Sequence, residues 1–391
     1  MENEMKKWLV SLRNDFHRHP ELSMEETRTT GRICEVLKNY DVEISTFDDM
    51  TGVVGIVCGK KTEGRGRTLA LRADIDALPV QEYGDRKYRS VVDGVMHACG
   101  HDANTVIMLG VVRKIHESGL IEKINGTVKF IFQPAEEKLA GAKAMIAKGV
   151  LENPHVDWIV AGHMDPNLPV GTVGVFSHIG HASSDPFELV ITGRGTHGAS
   201  PQKGINPISA GGYFITALET ILSRCINPAD SAVISIGTFH AGNAGNVIPD
   251  HAVLKGSIRT HDESVRKKLL AAVEDLVKGV DTIFGTTSKL EVKPGAPLGV
   301  NDRGVCKFLH DASVSVLSEE KVRTLPFHMG SEDFYYFTEI IPGAIMRLGC
   351  ADMESGIIAP LHSPRFDIHG DVLQIGTDIF FKAVENFFDV R

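Results

Sequence analysis

The chain has 391 residues, and what it lacks narrows the field first. No run approaches the roughly 18 consecutive apolar residues of a membrane span, so none is expected. Basic charge is not in excess. The 41 Lys and Arg face 50 Asp and Glu, a net charge of −9. That balance argues against nucleic acid or an anionic membrane as the main partner. Any anionic substrate has to be attracted locally, by metal, Arg or His. The six cysteines, Cys34, Cys58, Cys99, Cys225, Cys306 and Cys350, are scattered without the spacing of a disulfide framework. A reduced, cytoplasmic setting is therefore expected. The opening MENEMKKWLVSLRNDFHRHPE has no apolar core of the signal-peptide kind, so export is not expected. Internal repeats and low-complexity segments are absent. The segment GRGTHG lacks a following Lys-Ser/Thr, and no GxGxxG pattern occurs nearby, which argues against a nucleotide site.

What is present is ordinary for a globular chain: 42% apolar and 23% charged residues, at a length that suits two domains. Helical spacing of Trp8, Leu9, Leu12 and Phe16, then of Ile33, Val36 and Leu37, predicts two helices within residues 1–40. Strands are expected at 53–57, 68–71, 128–133 and 158–163, and helices at 102–117, with Asp102 as cap, and at 137–149. This alternation implies an α/β layer with a mostly parallel sheet. From 187 to 292 the order becomes β-α-β-β-α-β, a ferredoxin-like unit inserted into the first domain. Helices at 305–317, 331–339 and 371–388 and a strand at 344–348 return to the first pattern. The expected domains are 1–183 with 297–391, and 184–296 as the insertion.

Four segments carry donor groups at strand ends or in loops. In MHACGHD, Cys99 and His101 flank a glycine turn, and a thiolate with an imidazole suits zinc or its borderline neighbours. Alone, the pair reads equally as a buried thiol beside a surface imidazole. In QPAEE, Glu136 and Glu137 follow the apolar strand VKFIFQ. Adjacent carboxylates near a core are costly unless paired or metal-bound, although acids also favour a helix start. His163 ends the run WIVAGH, and His362 lies in LHSPRFD; each alone also reads as a satisfied structural histidine. The four together are far harder to ascribe to chance than any one. His17 and His19 in FHRHPE read as structural hydrogen-bonding groups near a helix end, and Ser331 as the cap of the helix that follows it.

MHACGHD, QPAEE, the strand-end GH and LHSPRFD, in this order, resemble the M20 metallopeptidase family, and within it the amidohydrolase branch. FHRHPELSMEET, LRADIDALP, GRGTHGASPQ, GNAGNVIPD and MGSEDF extend the resemblance over nearly the whole chain. It implies a zinc-exopeptidase-like α/β catalytic domain with an inserted lid or dimerisation domain. It implies two divalent ions per subunit (Zn, Mn, Co or Ni) held by Cys99, His101, Glu137, His163 and His362, with Glu136 as general base and Asp74 as a supporting acid. It further implies that His197 stabilises the oxyanion and that Asn246 and Arg259 lie near the substrate's carboxylate. The implied reaction is hydrolysis of an N-acyl amino acid by a homodimer or higher oligomer. A dipeptidase or carboxypeptidase of the same family is the nearest alternative, and a catalytically silent metal- or ligand-binding protein is the alternative outside enzymes. The chain departs from the family pattern at Asn104, where histidine is common, and at Ser363 and Met164.

Overall fold

The structure is a computed structural model that describes residues 2–61, 66–293 and 295–390; residues 62–65 of the expected catalytic portion and residue 294 of the expected insertion lie outside this set. The chain forms two compact units, Met1–Gly180 with Val300–Pro326 and Asp333–Arg391, and His181–Gly299 with Phe327–Glu332. Among the described residues no helix is long and apolar enough to cross a membrane.

An eight-stranded mixed sheet organises the first unit, in the order Glu43–Ser45, Val53–Cys58, Gly126–Gln133, Arg67–Asp74, Trp158–Pro169, Gly343–Ala351, Val173–Phe176 and Val322–Leu325. The central four strands are mutually parallel. The flanking pairs join antiparallel. Helices cover both faces, so alternate residues of one strand enter different cores. Val128, Phe130 and Phe132 pack with the long helices His101–Glu117 and Asp371–Phe387. Ile131 packs on the other face with Ala142, Met145 and Phe337. Burial on both faces is why these strands read as near-continuous apolar runs.

The second unit is a four-stranded antiparallel sheet, ordered Ala232–Ala241, His251–Thr260, Ser183–Thr192 and Thr287–Val292. Helices Pro207–Cys225 and Glu263–Phe284 pack on it through Phe214, Leu218, Leu269 and Val273. The helix stripe Leu269, Val273, Val277 and Val280 is buried, and Asp262 caps this helix by accepting from the amides of Ser264 and Val265. The β-α-β-β-α-β order of the sequence reading is the order found.

Three expectations change. Asp102 does not cap its helix: Gly100, at φ 87°, precedes helix His101–Glu117, and the Asp102 side chain turns inward. The helix expected at 137–149 is only Gly141–Ala147, because Ala135 and Leu139 both adopt φ 53° and interrupt a helical path. The helix expected from Ser331 is only Tyr335–Thr338. Asp333 is fully buried instead, accepting from Arg72 Nη2 at 2.9 Å, from Gln133 Nε2 at 2.8 Å and from the Ala142 amide at 3.0 Å. Removing one partner of a buried charge pair typically costs about 3–5 kcal/mol. Asp333→Ala should therefore lower the unfolding free energy by roughly that amount, read as a fall in the urea midpoint at unchanged slope; a midpoint within error of wild type would contradict this account of the core.

Candidate metal centre

The carboxyl ends of the parallel strands collect the polar groups of the first unit, as open α/β sheets do. Asp74 ends Arg67–Asp74, Gln133 ends Gly126–Gln133, and His163 lies within Trp158–Pro169. Three left-handed backbone positions aim the loops there. Gly100, between Cys99 and His101, has φ 87°, and a Cβ would lie 2.6 Å from the Met164 side chain, so only glycine fits. Ala135, just before the paired glutamates, has φ 53°, and His362 itself has φ 63°. At the two non-glycine residues such positions cost about 1–3 kcal/mol each and persist only where surrounding contacts hold them. Here the Ala135 amide donates to Glu26 Oε1 at 2.9 Å, and the His362 amide donates to the Ala98 carbonyl at 2.7 Å.

Donor atoms of Cys99, His101 and His163 lie within 4.8 Å of one another, as do those of Cys99, Glu137 and His362, and those of His101, Glu136 and Glu137. The first two triads share Cys99 and together contain the five residues expected as ligands. Cys99 Sγ lies 3.5 Å from His163 Nε2, and His362 Nε2 lies 3.4 Å from Glu137 Oε1. Ligands about 2.0–2.3 Å from one tetrahedral ion stand at about such separations.

The histidines are pre-set for this role. His101 Nδ1 faces the Asp76 carbonyl at 2.9 Å and Asp76 Oδ1 at 3.1 Å, and His163 Nδ1 faces the Met164 carbonyl at 2.8 Å. Each contact engages Nδ1 and leaves Nε2 toward the other donors, the arrangement that orients metal-ligating histidines. Among the described residues, His101 Nε2 is buried with no hydrogen-bond partner. A ring nitrogen left so is costly in a core, and a divalent ion would satisfy it. The donor set of thiolate, imidazoles and carboxylate also suits a borderline divalent cation.

The electrostatics agree. Burial, reinforced by the charge of Glu137, pushes the Cys99 thiol up to about 12. Burial, then the Arg347 guanidinium, holds His163 well below the usual histidine range, and therefore neutral. Burial works against protonation of His101, but Asp74, Cys99 and Asp76 outweigh it and raise its pKa well above normal.

Glu136 is 6% exposed, with Oε2 4.0 Å from His101 Nε2. Asp74 is fully buried and accepts from Arg72 Nη1 and from Asn104 Nδ2, both at 2.7 Å. Asn104 thus occupies a place beside the site without supplying a titratable group. The other expected site residues belong to the second unit. His197 is exposed on the short strand Thr196–His197, and its Nδ1 accepts from the Ala199 amide at 3.0 Å. Asn246 is exposed in the turn before Val247–Ile248, and Arg259 donates to the Met329 carbonyl at 3.0 Å. Sequence reasoning missed Asp76 and Arg72, both inside LRADIDALP. The signal there was a second acid two positions after Asp74, which puts both carboxylates near one strand end.

Cys99→Ala removes the donor common to both triads. The variant should hold markedly less divalent metal than His163→Ala, which touches one triad; equal metal content in Cys99→Ala and wild type by elemental analysis would remove Cys99 from the donor set.

The family model for peptidase family M20/M25/M40 matches residues 70–386. Thermostable carboxypeptidase 2 of Saccharolobus solfataricus is 36% identical over 379 residues, covering 95% of this chain and 93% of that protein. N-acetylcysteine deacetylase of Bacillus subtilis is 36% identical over 375 residues, covering 95% and 94%. The crystal structure of the Bacillus subtilis YXEP protein, described as a dinuclear metal-binding peptidase of the M20 family, superposes at a TM-score of 0.83 with 32% identity over the full length of both chains. With matched sequence spanning both units and the donor groups converging as described, the chain belongs to peptidase family M20/M25/M40.

Proposed function

We propose that this protein is a metal-dependent amidohydrolase that cleaves N-acyl amino acids to a carboxylate and a free amino acid. The observation that carries the reading is the pair of donor triads meeting at Cys99, with the Glu136 carboxylate beside them. Divalent ions held there supply the Lewis-acid charge that polarises an amide carbonyl and acidifies water. Two ions per subunit, drawn from Zn, Mn, Co or Ni, fit the two triads, and the dinuclear description of the YXEP protein supports that number. Glu136 accepts the proton of the attacking water and returns it to the departing nitrogen. Asp74, held by Arg72 and Asn104, keeps its charge beside His101 Nε2, 3.8 Å away. His197, with Nδ1 engaged by a backbone amide, has Nε2 left to donate to the oxyanion. Asn246 and Arg259 serve the substrate's carboxylate.

Residues 184–296 act in this reading as a lid and dimerisation domain, and the working protein is a cytoplasmic homodimer or higher oligomer. The scattered spacing of the six cysteines supports a reducing compartment. The relative named N-acetylcysteine deacetylase supports the acyl-amino-acid substrate class. The relative named thermostable carboxypeptidase 2 favours a second reading, peptide-end cleavage at the same centre.

A panel of N-acetyl amino acids, N-benzoyl amino acids and dipeptides, assayed with metal-loaded protein, separates these readings. Release of amino acid from the acyl compounds at higher kcat/KM than from dipeptides is expected. Glu136→Gln should retain the metal and lose about 10²–10⁴-fold in turnover; no metal-dependent turnover on any compound, or wild-type turnover by Glu136→Gln, would sink the reading. His197→Ala should lose about 10²–10³-fold in kcat at unchanged metal content, and an unaffected rate would exclude its oxyanion role.

A further inference from the structure

The FHRHPE segment and the helix leading into it have no part in the chemistry above, yet they supply a buried cation near the metal centre. Arg13, on helix Glu2–Arg18, is 3% exposed. Its guanidinium bridges two carboxylates from distant parts of the chain. Nε lies 2.8 Å from Asp102 Oδ2 as an ion pair without hydrogen-bond alignment, and Nη1 donates to Asp367 Oδ1 at 3.0 Å. His17, one helical turn on and fully buried, donates from Nδ1 to the same Asp102 oxygen at 2.7 Å.

Each acid is attached to a different donor segment. Asp102 follows His101 directly, in the turn that carries Cys99. Asp367 lies five positions beyond His362, in its loop. Tyr88 Oη and Arg86 Nε hold the second Asp367 oxygen at 2.6 and 3.1 Å, and Arg86 also donates to the Phe366 carbonyl at 2.7 Å. That loop needs such restraint. His362 sits at φ 63°, and its side chain is 55% exposed, so little packing fixes it. Besides Arg13, the two segments meet through a backbone bond from the His362 amide to the Ala98 carbonyl and through the Phe366 ring beside Gly100.

The consequence is asymmetric. Cys99, His101 and His163 form their triad without the His362 loop. The triad of Cys99, Glu137 and His362 forms only if the loop keeps its register with the Cys99 turn. We propose that Arg13 is a positioning residue that sets this register, so that it governs affinity for the ion held through His362 far more than for the ion held through His101 and His163. This rests on the two-ion reading above. A planar fork with fixed donor directions suits such a task, and the compact ammonium of lysine does not.

The test is a Co²⁺ titration of chelator-stripped protein, following the thiolate-to-metal absorption of Cys99 and the total bound metal. Folding is checked by circular dichroism. Wild type should fill two sites. In Arg13→Met one site should keep its affinity and the other should weaken by about 10–100-fold, the usual consequence of removing an outer-shell partner. Arg13→Lys should fall between the two. A purely structural role would lower the melting temperature and leave both affinities alike. Asp367→Asn, which retains the Arg13–Asp102 contact, should show the same split and adds the arm needed if Arg13→Met does not fold. Unchanged affinities in folded variants, or equal weakening of both sites, overturn the inference alone. A wild-type protein that binds fewer than two ions overturns the two-ion reading, and the inference with it.

Discussion

The donor groups that converge on Cys99, from His101, His163, Glu137 and His362, define what the first unit is built around. The carboxylates of Asp74, Asp76 and Glu136 are buried beside them. Such a grouping inside a well-packed domain is intelligible if divalent ions complete it. Burial raises the pKa of the Cys99 thiol, and Asp74, Cys99 and Asp76 raise that of His101 against its burial, so both hold protons in the metal-free site. Metal binding should accordingly release protons.

The scaffold keeps these groups in place by spending backbone strain and buried ion pairs on it. Gly100, Ala135 and His362 take left-handed conformations within the segments that carry the donors. Behind them stand saturated acids. Asp76 orients His101 and receives the Glu137 amide at 3.1 Å and Ser23 Oγ at 2.7 Å. Asp74 and Asp333 share Arg72, which is fully buried. Arg13 does for the outer rim of the site what Arg72 does for its floor. In both cases one guanidinium joins two carboxylates from separate stretches, which restrains geometry better than either pair alone.

A centre of this kind is generic in chemistry and open in substrate. The relatives at similar identity include one named carboxypeptidase and one named deacetylase, both acting on carbonyl–nitrogen bonds by their names. Differences between such activities arise in the groups that surround the scissile bond rather than in the ions. Asn104, Ser363 and Met164 are the positions near the donors where this chain departs from the family pattern. Asn104 keeps a hydrogen bond to Asp74 without a titratable ring, so the acid is oriented but no proton can pass through that neighbour.

The sequence by itself determined most element types and which residues were candidate donors. Apolar periodicity of 2 and 3.6 follows from burial on one or two faces, so the parallel core strands and the β-α-β-β-α-β run of the second unit were legible. Cysteine, histidine and acid at strand ends were legible because those residue types are costly there without a partner. What only the tertiary structure decided was pairing over long separations. That Asp102 turns inward to Arg13 rather than capping its helix, and that Asp333 meets Arg72 rather than starting one, depend on partners 89 and 261 positions away. The early stop at Ala135 and Leu139 was equally hidden, because neither residue advertises a left-handed backbone. Local propensity sees neighbours within a few residues, and the sharing of Cys99 between two triads is a property of the folded chain alone.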